Sequence, residues 1–406
     1  MHKPVLQNAA TDRTGTTPGV VPLSIAPETP GPIYVGSDVY RRAAFGNNHP
    51  LNIVRHSAVL DLVEMLGWLS EKTYQASERA TVEQLREFHD RDYIDALQYA
   101  ESEGQVAPEV RERYNIGTLE NPVFEGLFER ASMTVGGSIL AAKLACAGHI
   151  VFHPSGGTHH GRPDRASGFC YFNDPVYAIN TFLEQGRQKV FYVDLDAHHG
   201  DGVEAAFESE PRVMTVSVHE EERWPYSGAA GKSGQARNLP VPKGVNDSEL
   251  NYLMEEAILP LAEDFSVDAV VICCGADCLA GDPLSGMMLS NVALWQAVDQ
   301  LIALGQPTVI LGGGGYNPWT VTRYWAGLWG RISGQEIPES LPDKAVEFMR
   351  SMECDLIDEE DVDEAWLTTM ADSPYPGPIR NAVKSVASLV APGNRSRMKG
   401  RKHDLA

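Results

Sequence analysis

The sequence predicts an α/β protein with a mostly parallel central sheet, flanked by helices on both faces. Three observations predict it. Strand-like and helix-like segments alternate from Ile33 onward, the order expected when a parallel sheet is covered on both sides. The apolar stretch Lys189–Val193 reads as a buried strand. Polar and glycine-rich clusters directly follow such runs, and ligand sites in open parallel sheets lie just past the carboxyl ends of strands.

Residues 1–31 are rich in Thr, Pro, Gly and Ala and read as a flexible extension. The first strand-like run is Ile33–Val35, followed by a helical segment at Ser57–Leu69. Glu125–Ala147 reads as helix and leads to the strand-like run His149–His153. Pro175–Gln185 then reads as helix, and Val190–Leu195 and Val213–Val218 as strands. Ser248–Ala262 is helical, Ala269–Cys274 strand-like, Ala293–Leu304 helical, Thr308–Leu311 strand-like and Pro318–Ile332 helical. Short apolar runs mark the strands and longer segments the helices. No internal repeat is visible. Past Tyr375 the composition turns polar, so one catalytic domain is expected over residues 32–375 and a polar, basic tail over 376–406.

At 406 residues and 43% hydrophobic content, the chain can bury a sizeable core. Its formal net charge of -22 argues against binding of nucleic acid and favours cationic substrates. The basic run Arg395–Lys402 reads as a solvated tail. The six cysteines, Cys146, Cys170, Cys273, Cys274, Cys278 and Cys354, read as reduced thiols of a cytoplasmic protein. Cys274 and Cys278 lack the second pair that a zinc finger requires. No signal peptide is visible, and no apolar segment reaches the roughly 18 residues of a membrane helix.

Four clusters carry chemistry. Ser155–Gly161 places His159 and His160 on a Gly-rich turn, where both rings can enter one cavity or lie on a surface loop. Asp194-Leu195-Asp196-Ala197-His198-His199-Gly200-Asp201 gathers three carboxylates and two imidazoles at a strand end. Groups so costly to desolvate imply a bound partner, most simply a metal ion. Asp196 and His198, two apart, point the same way in an extended backbone and are ordinary zinc donors. Asp194 and Asp201 remain to accept hydrogen bonds from imidazole N–H groups. In Gly275–Pro283, Asp277 is a third ligand or a loop cap, and Asp282 reads as a turn residue. Three protein ligands with one open position would make a catalytic zinc site. Gly312–Pro318 lacks both the phosphate-loop ending and the spaced glycines of a dinucleotide fingerprint. It reads as a turn that aims Tyr316 into the cavity as an oxyanion donor, or leaves it a core-edge tyrosine.

Taken together and in this order, the clusters resemble the zinc-dependent histone deacetylase superfamily, most closely its class I and bacterial acetoin-utilisation types. Gly168–Asp174 and Asn121–Leu127 match it as well, and the resemblance runs from about Tyr34 to Ser333. It implies a single-domain arginase/deacetylase-like fold and a hydrolase that removes acetyl or other acyl groups from lysine side chains in proteins or peptides. It also implies one catalytic zinc ion (Zn2+) on Asp196, His198 and Asp277, with His159 and His160 as paired catalytic histidines supported by Asp194 and Asp201. Tyr316 matches the tyrosine that polarises the substrate carbonyl. Phe169 and Trp224 match the walls of the acyl-lysine tunnel, Trp224 standing where a Phe is usual. Gly168 and Gly314 fall in matched motifs expected to line it. Glu120 stands where many relatives have an Asp that grips the substrate backbone. One or two structural potassium ions (K+) are implied, the first on Asp194 and Asp196 with oxygens around His198, Ser217 and Val218, the second near Phe207 and Val213.

Only the ends of His49–Arg55 match the family's N-terminal signature. The loop His219–Glu222 is unusually acidic, suited to a cationic substrate or simply to solvent. The stretch Tyr99–Asn121 is too short for the insertion of acetylpolyamine deacetylases, which favours an open mouth; acetylpolyamines or other small acyl amides remain the alternative. A two-manganese ureohydrolase would need a second Asp at position 279, which is Leu. A non-catalytic acyl-amine sensor would carry a degraded site, and the matched positions are intact. Oligomeric state is not legible.

Overall fold

The computed structural model describes residues 30–46 and 49–393. Nine strands form one sheet: β1 (Ile33–Gly36), β2 (Tyr74–Ala76), β3 (Ile150–His153), β4 (Val190–Asp194), β5 (Val213–Glu220), β6 (Gly231–Ser233), β7 (Ala236–Val241), β8 (Ala269–Cys273) and β9 (Thr308–Leu311). Their order is β2-β1-β3-β9-β8-β4-β5-β7-β6. All pairings are parallel except β6 with β7.

Side chains of a strand alternate between the two faces, and here both faces are covered. Phe191 and Val193 of β4 enter one core, shared with the helices His56–Met65, Asn291–Ile302 and Pro318–Ile332. Val190 and Tyr192 enter the other, shared with the helices Leu127–Cys146 and Asp174–Glu184. That is why the central strands read as unbroken apolar runs.

Strand order explains how distant segments of the chain meet. The strands β3, β9, β8, β4 and β5 are consecutive neighbours and point the same way. Each of the four clusters, and the loop after β5, therefore leaves the sheet at one end and at one place.

The expected strands and helices recur with shifts of a few residues, and three strands were not foreseen. β2 and β6 have three residues each, and β7 contains Asn238 and Pro240, which interrupt its apolar pattern. The segment expected as one helix over Ser248–Ala262 is helical from Asp247 to Phe265 but contains a π-helical stretch, Met254–Ile258. Part of the stretch expected as a tail past residue 375 is helical. Helix Asn381–Val390 packs Val383, Val386, Ala387 and Val390 into the main core. Arg380, just before it, donates to both carboxylate oxygens of buried Glu249 at 2.7 and 2.6 Å. Residues 1–29 of the expected extension and the basic run Arg395–Lys402 lie outside the described residues. Among the described residues, no helix is long and apolar enough to cross a membrane.

Candidate active site

Asp196, His198 and Asp277 meet at the end of β4 and β8. Their donor atoms all lie within 4.8 Å of one another, and the carboxylates are fully buried. His198 Nδ1 sits 3.2 Å from Asp196 Oδ1 and 2.9 Å from Asp277 Oδ2. The other oxygens are fixed by backbone: Gly314 N–H donates to Asp196 Oδ2 at 2.6 Å and Ala197 N–H to Asp277 Oδ1 at 2.9 Å. A Cβ at Gly314 would fall 2.1 Å from Asp277 Oδ2, so only glycine allows this approach.

The electrostatics fit a cation here. Burial favours neutral imidazole, yet the hydrogen bonds and charges of Asp196 and Asp277 overcome it and raise the His198 pKa to about 10. Burial and the charge of Asp196 raise the Asp277 pKa. Two buried carboxylates converging on one point thus call for positive charge between them, and with an imidazole they form a donor set suited to zinc. A second grouping, His159, Asp196 and Cys273, is a poorer candidate. Burial pushes the Cys273 thiol far up, and only the thiolate is a good ligand.

His159 and His160 stand beside this point, ring centroids 3.9 Å apart. His159 Nδ1 donates to Asp194 Oδ2 at 2.7 Å, and His160 Nδ1 donates to Asp201 Oδ1 at 2.8 Å. Both carboxylates have further partners. The Tyr192 hydroxyl donates to Asp194 Oδ2 at 2.6 Å, and Arg162 pairs with Asp201. The two imidazoles are unequal. Burial lowers the basicity of His159, but the charges of Asp194 and Asp196 outweigh it and raise its pKa to about 9. Burial and the neighbouring His159 push His160 down to about 4.

Tyr316 closes the site from the β9 loop, 6.5 Å from the His198 ring by centroids. Its N–H donates to Asp282 Oδ2 at 2.7 Å, while Asp282 Oδ1 takes the Leu284 N–H at 2.9 Å. Asp282 is thus both the expected turn residue and an anchor for Tyr316. Burial and nearby Asp277 raise the phenol pKa, keeping Tyr316 a proton donor.

A cavity of about 470 Å³ leads from the surface to these groups. Phe169 lies 6.0 Å from Tyr316, and Trp224 lies 4.7 Å from His160, by ring centroids. Trp224 lies across Gly168, where a Cβ would be 2.4 Å from the indole Cη2. On the rim, Glu120 accepts hydrogen bonds from Gly168 N–H and, at 3.0 Å, from Asn115 Nδ2. Glu220 is buried and ion-paired to Arg223 at 2.6 Å, whereas Glu221 and Glu222 are exposed. Ser217 stands beside Asp194 in the β4–β5 register, its hydroxyl 2.9 Å from His219 Nδ1, and Val218 is buried.

Several residues at the site escaped the sequence reading. Tyr192 looks like any core residue of a strand. Asn173 Nδ2 donates to the carbonyls of His159 and Gly161 at 3.2 and 2.9 Å, and Asp174 accepts the N–H groups of Gly157 and Thr158 at 3.1 and 2.7 Å. Their signal was the matched run Gly168–Asp174. Arg55 does reach the interior despite the altered signature around it: it donates to the carbonyls of Gly313 and Gly315 at 3.0 and 3.2 Å.

This fold and site define a class of α/β hydrolytic enzymes with an Asp-His-Asp centre beneath a narrow cavity. The family model for the histone deacetylase domain matches residues 49–332. Histone deacetylase 9 of Arabidopsis thaliana is 36% identical over 312 residues, covering 74% of this chain and 72% of that protein. The acetoin utilization protein AcuC of Bacillus subtilis (strain 168) is 32% identical over 327 residues, 76% of this chain and 84% of that protein. The crystal structure of an HDAC homolog from Aquifex aeolicus superposes with a TM-score of 0.85 at 35% identity, covering 89% of this chain and all of that one. The chain belongs to the histone deacetylase family.

Proposed function

We propose that this protein is a zinc-dependent deacetylase acting on acyl-lysine side chains of proteins or peptides. One observation carries the reading: a buried Asp-His-Asp group lies at the floor of an aromatic-walled cavity, beside two carboxylate-supported histidines and the ring of Tyr316. Asp196, His198 and Asp277 would hold the ion, which when bound polarises a carbonyl and makes a water more acidic. His159, held by Asp194, orients that water. His160, whose ring burial keeps neutral, accepts the water's proton and passes it to the departing amine, so that water and amide become carboxylate and free amine. Tyr316 donates a hydrogen bond to the oxyanion that develops on the former carbonyl. Phe169 and Trp224, with Gly168 between them and Gly314 at the floor, hold the acyl-amine chain straight and exclude water.

Rim chemistry favours a polypeptide substrate. Leu119 is 97% exposed beside Glu120, and Tyr226 is 77% exposed on the opposite loop, giving apolar contact area outside the tunnel. The exposed carboxylates of Glu221 and Glu222 favour a second reading, in which small cationic acyl amines are also accepted. Structural potassium would be served by the oxygens of Asp194, Asp196, His198, Ser217 and Val218, with Asp194 and Ser217 already in register. A second potassium site near Phe207 and Val213 belongs to the same reading. The six free cysteines suit a reducing, cytoplasmic compartment.

A kinetic panel of acetyl-lysine peptides, acetylpolyamines and longer acyl-lysines on the zinc-loaded protein tests the reading. Turnover of the peptides, abolished by a chelator and restored by zinc, is expected. Turnover of none of the three would refute it.

A further inference from the structure

The wall residue Trp224 sits in a loop, residues 221–228, that follows β5 and is exposed at both Glu221–Glu222 and Tyr226–Ser227. Two relays of buried polar groups run from the sheet to the far end of this loop. They begin at Asn238 of β7 and Ser217 of β5, which are register partners. In the first relay, Asn238 Nδ2 donates to Glu204 Oε2 at 2.8 Å, and His199 Nε2 donates to the same oxygen at 2.8 Å. With Nε2 turned to Glu204, Nδ1 pairs with the Ser227 hydroxyl at 2.8 Å. In the second, the Ser217 hydroxyl donates to His219 Nδ1 at 2.9 Å, and His219 Nε2 donates to the Gly228 carbonyl at 3.0 Å.

The rings of His199 and His219 pack 4.8 Å apart, and Gly228 lies directly against both. A Cβ at Gly228 would fall 2.6 Å from His219 Cε1 and 2.7 Å from His199 Cγ, and its φ is +77°. Only glycine permits this approach without strain. Nothing in the reaction chemistry uses these two imidazoles, although His199 directly follows the ligand His198. Their hydrogen bonds are spent on the loop.

We infer that His199 and His219 are positioning residues that set the place of Trp224, and through it the fit of the acyl-amine chain, by clamping Ser227 and Gly228. The inference rests on the deacetylase reading for its kinetic consequence, but not for its structural one. Ser227 is exposed and touches no reacting group, so Ser227→Ala removes one relay without disturbing the fold.

The test uses the zinc-loaded full chain labelled with fluorotryptophan. The Trp224 resonance, identified among seven tryptophans by its loss in Trp224→Phe, is followed by fluorine NMR. In Ser227→Ala it is expected to shift or broaden while the others stay, and in Ser227→Thr to keep its place. For an acetyl-lysine peptide, KM should rise about two- to tenfold in Ser227→Ala, the worth of one ordinary hydrogen bond, with kcat unchanged. In a Trp224→Phe background the same substitution should have no further effect. An unmoved Trp224 resonance, or KM effects that multiply independently in the double variant, would overturn the inference. A parent that turns over no acyl-lysine would refute the deacetylase reading alone, because the resonance still decides the clamp.

Discussion

The Tyr192 hydroxyl and His159 Nδ1 converge on one oxygen, Asp194 Oδ2, at 2.6 and 2.7 Å. A core residue of β4 thereby shares the carboxylate that orients an imidazole of the loop after β3. Hydrogen bonds to buried charged groups contribute about 1.5–3 kcal/mol each. Tyr192→Phe is expected to lower unfolding free energy by about that amount, read by urea denaturation. An unchanged midpoint would show that the hydroxyl does not support Asp194.

Tyr316→Phe keeps the ring and its contact with Phe169 but removes the donor. The variant should unfold like the parent and lose a factor of about 10²–10³ in kcat, as for loss of one oxyanion donor. Steady-state kinetics on an acetyl-lysine peptide decide it; a parent-like kcat would remove Tyr316 from the mechanism.

Gly168 adopts φ +54°, and an added Cβ would lie 2.4 Å from Trp224 and 2.5 Å from His160. Gly168→Ala should cost about 1–3 kcal/mol of stability through strain, and raise KM because the indole must move. Thermal unfolding and KM measured together check both effects.

His89 couples acid to the segment around Arg162 and Asn173. Its Nδ1 donates to the Arg162 carbonyl at 2.9 Å, and its Nε2 accepts the Asn173 N–H at 3.1 Å. Burial pushes its pKa down to about 3 from an ordinary 6.5. Between these values the unfolded chain binds a proton that the folded protein refuses, so stability falls as pH drops from 6.5 toward 3. The slope from this one group is about 1.4 kcal/mol per pH unit. His89→Gln should flatten the stability profile by that amount in the acid window, measured by denaturation on both sides of the ordinary histidine pKa. An unchanged slope would contradict the assignment.

The strands that carry the site were readable because burial on both faces makes β3, β4, β8 and β9 uniformly apolar, with polar residues crowded at their ends. The grouping Asp194–Asp201 was readable because no ordinary loop concentrates so many groups that are costly to bury. β7 escaped because Asn238 and Pro240 break its pattern, and β2 and β6 because three residues carry no period. Tyr192 escaped for a different reason: its ring belongs to the core, and only its hydroxyl belongs to the site. Arg55 was marked only as the matched end of an altered signature, because what places it is the pair of carbonyls at Gly313 and Gly315, far along the chain. Helix Asn381–Val390, which buries Val383, Val386, Ala387 and Val390, was overlooked because the basic run that follows it in the sequence dominates the composition of the segment.

One divalent ion on two aspartates and an imidazole is the basis of the proposed reaction. Zinc content of the purified protein, by elemental analysis beside Asp277→Ala, tests it most directly. About one zinc per chain in the parent and a near-complete loss in the variant is predicted, since the variant keeps only two of the three protein donors that a catalytic zinc site uses. Two manganese ions per chain, or zinc retained by the variant, would contradict it.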